Sequence, residues 1–159
     1  LARPHAAFFM SLLLFGWAVG APTMGWLSDR LGRRKPILIA GSVIVCLMLF
    51  LLIFVPHLPL PAAVTIVIVI GFSGGSMATC FALARDVLPD KITGAATGIV
   101  NALTVASGAV LQPAVGLLLD LQTADNTASY SEAVFRQAFC AILVTAFAGL
   151  LVASRLREK

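Results

Sequence analysis

Asp29 and the cations that follow it, Arg30, Arg33, Arg34 and Lys35, form a dense group of charges in a mostly apolar chain. With Gly25 and Gly32 they make up the segment Gly25-Trp26-Leu27-Ser28-Asp29-Arg30-Leu31-Gly32-Arg33-Arg34-Lys35. These side chains suit ion pairing and anchoring. They hold no nucleophile with a base beside it and no set of metal ligands. Asp29 is the member that asks for an explanation. It falls at the C-terminal end of an apolar stretch, and a helix there would turn the negative end of its macrodipole towards the carboxylate. Another group must therefore stabilise it, whereas the arginines can be explained by topology alone.

The rest of the chain offers little catalytic chemistry. Cys46, Cys80 and Cys140 each fall deep in a different apolar stretch, with no C-x-x-C pair and no histidine at ligand spacing. They read as small apolar side chains in a helix bundle. His5 and His57 sit at expected loop ends and read as interfacial residues. There is no nucleotide-binding loop, no Ser/His/Asp set and no metal cluster. The expectation is a protein that is not an enzyme and has no catalytic residue, cofactor or metal.

The elements that must carry the charged segment follow from composition. The 159 residues are 60% hydrophobic and 11% charged, with a mean hydropathy of +1.01. Soluble domains carry about 25% charged residues, so the solvent for most of this chain is lipid. Apolar runs long enough to cross a bilayer are expected at 7–28, 36–56, 61–85, 93–119 and 133–154. Backbone groups in hydrocarbon must pair internally, so these runs are helices. The fold class is all-α and polytopic. The breaks have chemical causes: Gly32 and the basic run, then Pro36 in the first turn of the next helix. Further breaks are the proline turn from Val55 to Pro61, Pro89-Asp90-Lys91, and a polar loop from Gln122 to Glu132. The chain opens on Leu1 almost directly into an apolar stretch, which reads as a fragment or a trimmed piece. That stretch is too long for a signal-peptide core.

Charge sets the expected orientation. Arg30, Arg33, Arg34, Lys35, Arg85, Lys91, Arg155, Arg157 and Lys159 fall on one side of the five spans, and only Arg3 and Arg136 on the other. By the positive-inside rule the nine are cytoplasmic, with the N-terminus outside and the C-terminus inside. Their placement between spans argues for topology rather than a nucleic-acid partner. No charge lies at mid-depth, so no intramembrane proton relay is visible.

Two spans have legible faces. In the fourth, Gly94, Gly98, Asn101, Val105, Gly108, Gln112 and Gly116 fall within roughly 40° of one line. Ile99, Leu103, Val110 and Leu117 take the far side. Small residues let helices approach closely in lipid. Asn101 and Gln112 can serve an inter-helix hydrogen bond or line a substrate cavity, and Ser76 is a third cavity candidate. Pro113 is expected to kink the helix. In the third span, Gly71, Gly74, Gly75, Ala78, Ala82 and Arg85 share a face, and Gly71-x-x-x-Gly75 is a close-packing motif. Glycines 74 and 75 weaken the helix there. The second and fifth spans read as nearly featureless, lipid-facing helices.

The pattern G-x-x-x-D-R-x-G-R-R, standing as Gly25, Asp29, Arg30, Gly32, Arg33 and Arg34, resembles the loop signature of the major facilitator superfamily. This is a large family of secondary transporters with twelve helices in two six-helix halves. The resemblance places the signature after the second or the eighth helix, so residues 1–159 map to helices two to six or eight to twelve. The short basic tail from Ser154 to Lys159 favours the latter. So do Ala84 to Pro89 with Thr93, Gly94 and Gly98, which look like the connection of the tenth and eleventh helices. Gln112-Pro113-x-x-Gly116 through Asp120 looks like the end of the eleventh. Thr93 stands where many relatives place Arg.

The resemblance implies five transmembrane helices forming most of one six-helix bundle, in the cytoplasmic (inner) membrane, paired with the N-terminal half of the same transporter. It implies a small-molecule solute moved by alternating access. A coupling ion such as H+ is left open. It further implies a conformational latch made by Gly25, Asp29, Arg30, Gly32, Arg33, Arg34, Arg85 and Asp86. In that latch Arg85 and a helix N-terminus of the other half hold Asp29, while Asp86 holds Arg33 or Arg34. The alternative is a non-transporting membrane sensor or scaffold, which an appended soluble domain would distinguish from a transporter with about seven more spans.

Overall fold

The computed structural model describes residues 3–121 and 132–156. The loop expected after Gln122, and Arg157 and Lys159, therefore lie outside the described residues. Six α-helices follow one another among the described residues: α1 (Arg3–Leu31), α2 (Lys35–Phe54), α3 (Leu60–Gly74), α4 (Ala78–Val87), α5 (Asp90–Leu121) and α6 (Glu132–Arg155). A short 3-10 turn, Gly75–Met77, links α3 to α4, so these two make one span. Among the described residues, five stretches are long and apolar enough to cross a membrane: Ala6–Leu31, Lys35–Phe54, Leu60–Val87, Lys91–Asp120 and Ala133–Arg155.

The first span runs to Leu31, past the residue 28 expected from hydropathy, because what ends it is backbone geometry rather than charge. Gly32 has φ +62, the left-handed conformation that glycine adopts without steric cost. Its N–H closes the turn onto the Asp29 carbonyl at 3.2 Å. Pro36 then stands in the first turn of α2, where a missing N–H costs nothing. In the third span, the 3-10 turn falls at the glycine pair expected to weaken the helix.

The best-packed seam joins α1 to α3. Gly16-x-x-x-Gly20 on α1 faces Gly71-x-x-x-Gly75 on α3 and the turn. A Cβ added at Gly16 would stand 2.5 Å from the Ile68 carbonyl oxygen. One at Gly71 would collide with the Leu13 carbonyl, and one at Gly75 with the Ala21 nitrogen. Backbone meets backbone here, as small residues allow in lipid.

The second span departs from the lipid-facing expectation. Ile37, Gly41, Leu49 and Ile53 are buried at helical spacing, and α2 lies between α3 and α6. Its inward face is hidden in the sequence because a protein interior and lipid accept the same apolar side chains. Side chains such as Phe15, Leu103, Val110 and Val144 stay exposed, as a hydrocarbon solvent permits.

On the fourth span the glycine face is open. Cβ atoms added at Gly94, Gly98, Gly108 and Gly116 would meet nothing within 4 Å. The small face of α5 therefore packs against nothing among the described residues.

Candidate functional site: a charge cluster joining three helix ends

Asp29 sits in the last turn of α1 and Asp86 in the last turn of α4. Both carboxylates thus stand at the negative end of a helix macrodipole. Arg34, just ahead of α2, comes between them. Its Nε donates to Asp86 Oδ2 at 2.9 Å, and its Nη1 donates to Asp29 Oδ1. One guanidinium therefore offsets two carboxylates and two helix ends. Arg suits this role because its donors are fixed in a planar fork.

Ser28 completes the local structure. It is fully buried. Its hydroxyl accepts from Arg34 Nη1 at 3.3 Å and donates to the Arg33 carbonyl at 3.2 Å. The Arg34 side chain is 19% exposed, against 66% for Asp29 and 51% for Asp86. Pairs this open to water are worth about 0.2–1 kcal/mol each, so the cluster fixes geometry more than it stabilises the fold. Asp29 first, then Asp86, hold the Arg34 guanidinium above its ordinary pKa, partly opposed by desolvation. A cation with a raised pKa contributes below its unfolded value and loses that contribution only as pH rises through the folded one. Arg34 therefore stays charged at any physiological pH.

The other expected members fall as follows. Arg85 is exposed and forms no ion pair with Asp29; Arg34 takes that place. The choice left between Arg33 and Arg34 as partner of Asp86 goes to Arg34. Arg33 is exposed and contributes its carbonyl. Arg30 turns outward over the Trp26 ring, 5.3 Å from its centroid, a cation–π contact. Gly32 makes the tight turn, but Gly25 has no neighbour within 4 Å of an added Cβ.

The three cavity candidates are not gathered in one place. Ser76 is buried and its Oγ lies against Gly41. It borders a groove of about 360 Å³ between α2, the 3-10 turn and α6, with Leu38, Cys80 and Gly149 among its apolar walls. Asn101 and Gln112 are exposed on α5 and line no part of that groove.

Sequence reasoning missed three contributions. Ser28, the last residue of the expected first span, carried no chemical signal of its own. Gly16-x-x-x-Gly20 carries the same spacing that marked Gly71 and Gly75. Lys35, read only as a topology signal, donates from Nζ to the Leu156 carbonyl at the end of α6, at 2.7 Å. The contacts of Arg34 and Lys35 bring the α1–α2 junction, the end of α4 and the end of α6 to one end of the bundle.

Five membrane-length helices among the described residues define an integral, all-α polytopic membrane protein. The family model of the Major Facilitator Superfamily matches residues 2–159, and the chain belongs to that superfamily of transporters. No curated protein and no solved structure matches the chain significantly.

Proposed function

We propose that the chain supplies helices eight to twelve of a secondary active transporter, which moves a small solute across the cytoplasmic membrane by alternating access. The observation that carries this reading is Arg34 held between Asp29 and Asp86. A single side chain ties the ends of α1 and α4 to the start of α2, so these ends move together. Rocking of one bundle against another needs such a rigid end. Gly25, Asp29, Arg30, Gly32, Arg33, Arg34, Arg85 and Asp86 are the latch residues in this reading, and the latch closes the cytoplasmic side against the other half. The basic residues put the N-terminus outside and the C-terminus in the cytoplasm.

The uncovered face of α5 supports a surface turned towards that other half. Asn101 lies eleven residues into α5, about 16 Å along the helix, close to the middle of a hydrocarbon core of about 30 Å. That depth suits a midplane solute site, with Asn101 as its nearest polar group and Gln112 further along. Ser76, packed against Gly41, borders the separate groove by α2 and α6 and stays a further cavity candidate in this reading.

The test is Asp29→Asn in the complete transporter. The substitution keeps shape and removes charge. Insertion should stay near normal, because the arginines that set topology remain. The conformational balance should shift inward-facing, read as faster maleimide labelling of a cysteine placed at Leu88, and transport should fall at least about tenfold, the effect of about 1.4 kcal/mol. Unchanged labelling and transport would leave Asp29 an ordinary loop acid.

A further inference from the structure

Lys35 occupies a position that its own helix disfavours. It is the first residue of α2, where the macrodipole is positive and a cation is repelled. Its ammonium is directed instead to another helix. Leu156 follows the last helical residue of α6, Arg155, and its N–H closes back onto the Ala153 carbonyl at 3.3 Å. Its own carbonyl lies beyond intrahelical pairing, as the last carbonyls of every helix do. Lys35 Nζ donates to that carbonyl at 2.7 Å, placing a cation at the negative end of α6.

This contact has a particular place in the bundle. Among the described residues, α6 packs against α2 and α5 but makes no close backbone approach to α1 or α4. The backbones of the helices that carry Asp29 and Asp86 thus do not pack closely on it. Lys35 is peptide-bonded to Arg34, which holds both carboxylates. A shift at the start of α2 displaces the α6 contact and the carboxylate contacts together. We propose that Lys35 is a positioning residue that fastens the C-terminal end of α6 to the Arg34 cluster, so that the end of the last helix and the cluster loosen or tighten as one unit. The proposal rests on the latch reading only for its consequence in transport; the fastening is a property of the folded chain.

Hydrogen exchange of the intact protein in lipid nanodiscs tests it, read by mass spectrometry over residues 150–156 and 84–88. Lys35→Met should raise exchange at least fivefold over 150–156 and at least twofold over 84–88. Lys35→Arg, which keeps a donor cation, should restore both. Lys91→Met removes an exposed cation outside the cluster and should change neither. Coupling is reciprocal, so Arg34→Gln should loosen 150–156 as well as 84–88. If Lys35→Met fails to fold, the Arg34→Gln arm decides alone. Loosening confined to 150–156 in Lys35→Met, or the same changes in Lys91→Met, or a protected 150–156 in Arg34→Gln would each overturn the proposal. The exchange readout is independent of transport. Coupled exchange with normal transport in Asp29→Asn would therefore remove the latch reading and leave the fastening in place.

Discussion

Two sets of glycines, alike in spacing, should respond oppositely to one added methyl. At Gly75 the new Cβ would collide with the α1 backbone at Ala21 and Gly20. A backbone cannot rotate aside as a side chain can, so α1 and α3 must separate. Overpacking of this kind costs about 1–3 kcal/mol, and a backbone obstacle belongs at the upper end. Alanine returns about 1 kcal/mol of helix propensity. Gly75→Ala should then destabilise by about 2 kcal/mol, close to thirtyfold in the folded-to-unfolded ratio. At Gly98 the Cβ meets nothing within 4 Å, and the propensity gain stands alone. Gly98→Ala should stabilise the chain by up to about 1 kcal/mol. Reversible unfolding in mixed micelles with increasing dodecyl sulfate measures both, with tryptophan fluorescence as the signal. Trp17 lies beside Gly74 at the seam and reports its opening. Destabilisation by Gly98→Ala as large as that by Gly75→Ala would mean that the small face of α5 is already covered by a second copy. A neutral Gly75→Ala would remove the close α1–α3 approach.

Orientation is open to labelling in a background lacking Cys46, Cys80 and Cys140: cysteines at Leu31 and Lys91 should resist an impermeant thiol reagent in intact cells, and one at Thr127 should react. Labelling at Leu31 from outside would reverse the topology. Made alone, the chain should self-associate or be degraded, because exposed Asn101 and Gln112 on α5 are unfavourable against lipid. Size-exclusion chromatography with light scattering reads this, and a stable monomer would refute it. Reconstituted alone in liposomes the chain should not transport, and saturable uptake would replace the half-transporter reading with a small homo-oligomeric carrier.

The spans were legible because one constraint sets them: about 30 Å of hydrocarbon admits only a long apolar helix or a closed barrel. The α1–α2 turn was legible because Gly32 has a conformation that few other residues adopt. Inward faces were legible only where small residues marked them. Gly71 and Gly75 announced the α3 seam, yet the buried face of α2 through Ile37, Gly41, Leu49 and Ile53 did not stand out from its apolar surroundings. In water a polar face would have marked the outside; in lipid that contrast is missing. Charge partners were the least legible. Four cations within six positions, Arg30, Arg33, Arg34 and Lys35, could not be told apart by type or spacing, and the partner of Asp86 stayed open between Arg33 and Arg34. Arg30 goes to an aromatic ring, Arg34 to two carboxylates and Lys35 to a helix end, while the Arg33 backbone carbonyl accepts from the Ser28 hydroxyl. Only the path of the backbone around Gly32 decides which cation reaches which partner.

That division bears on how Asp29 can serve a latch. Arg34 is only five residues away in sequence, so pairing with it closes a short loop at little entropic cost and needs no outside partner. The cluster of Asp29, Arg34 and Asp86 is therefore made by groups within this chain. A switch requires something further that binds in one state and not in the other. Asp29 retains the means for it. Its side chain is 66% exposed while bonded to Arg34, and an ionised carboxylate offers about four lone-pair sites. The open sites suit backbone N–H groups at the N-terminus of a helix, where the macrodipole favours an anion. In the proposed latch Arg34 would hold the carboxylate in place while the partner helix closed on it, with Arg85, exposed on α4, as a second cation.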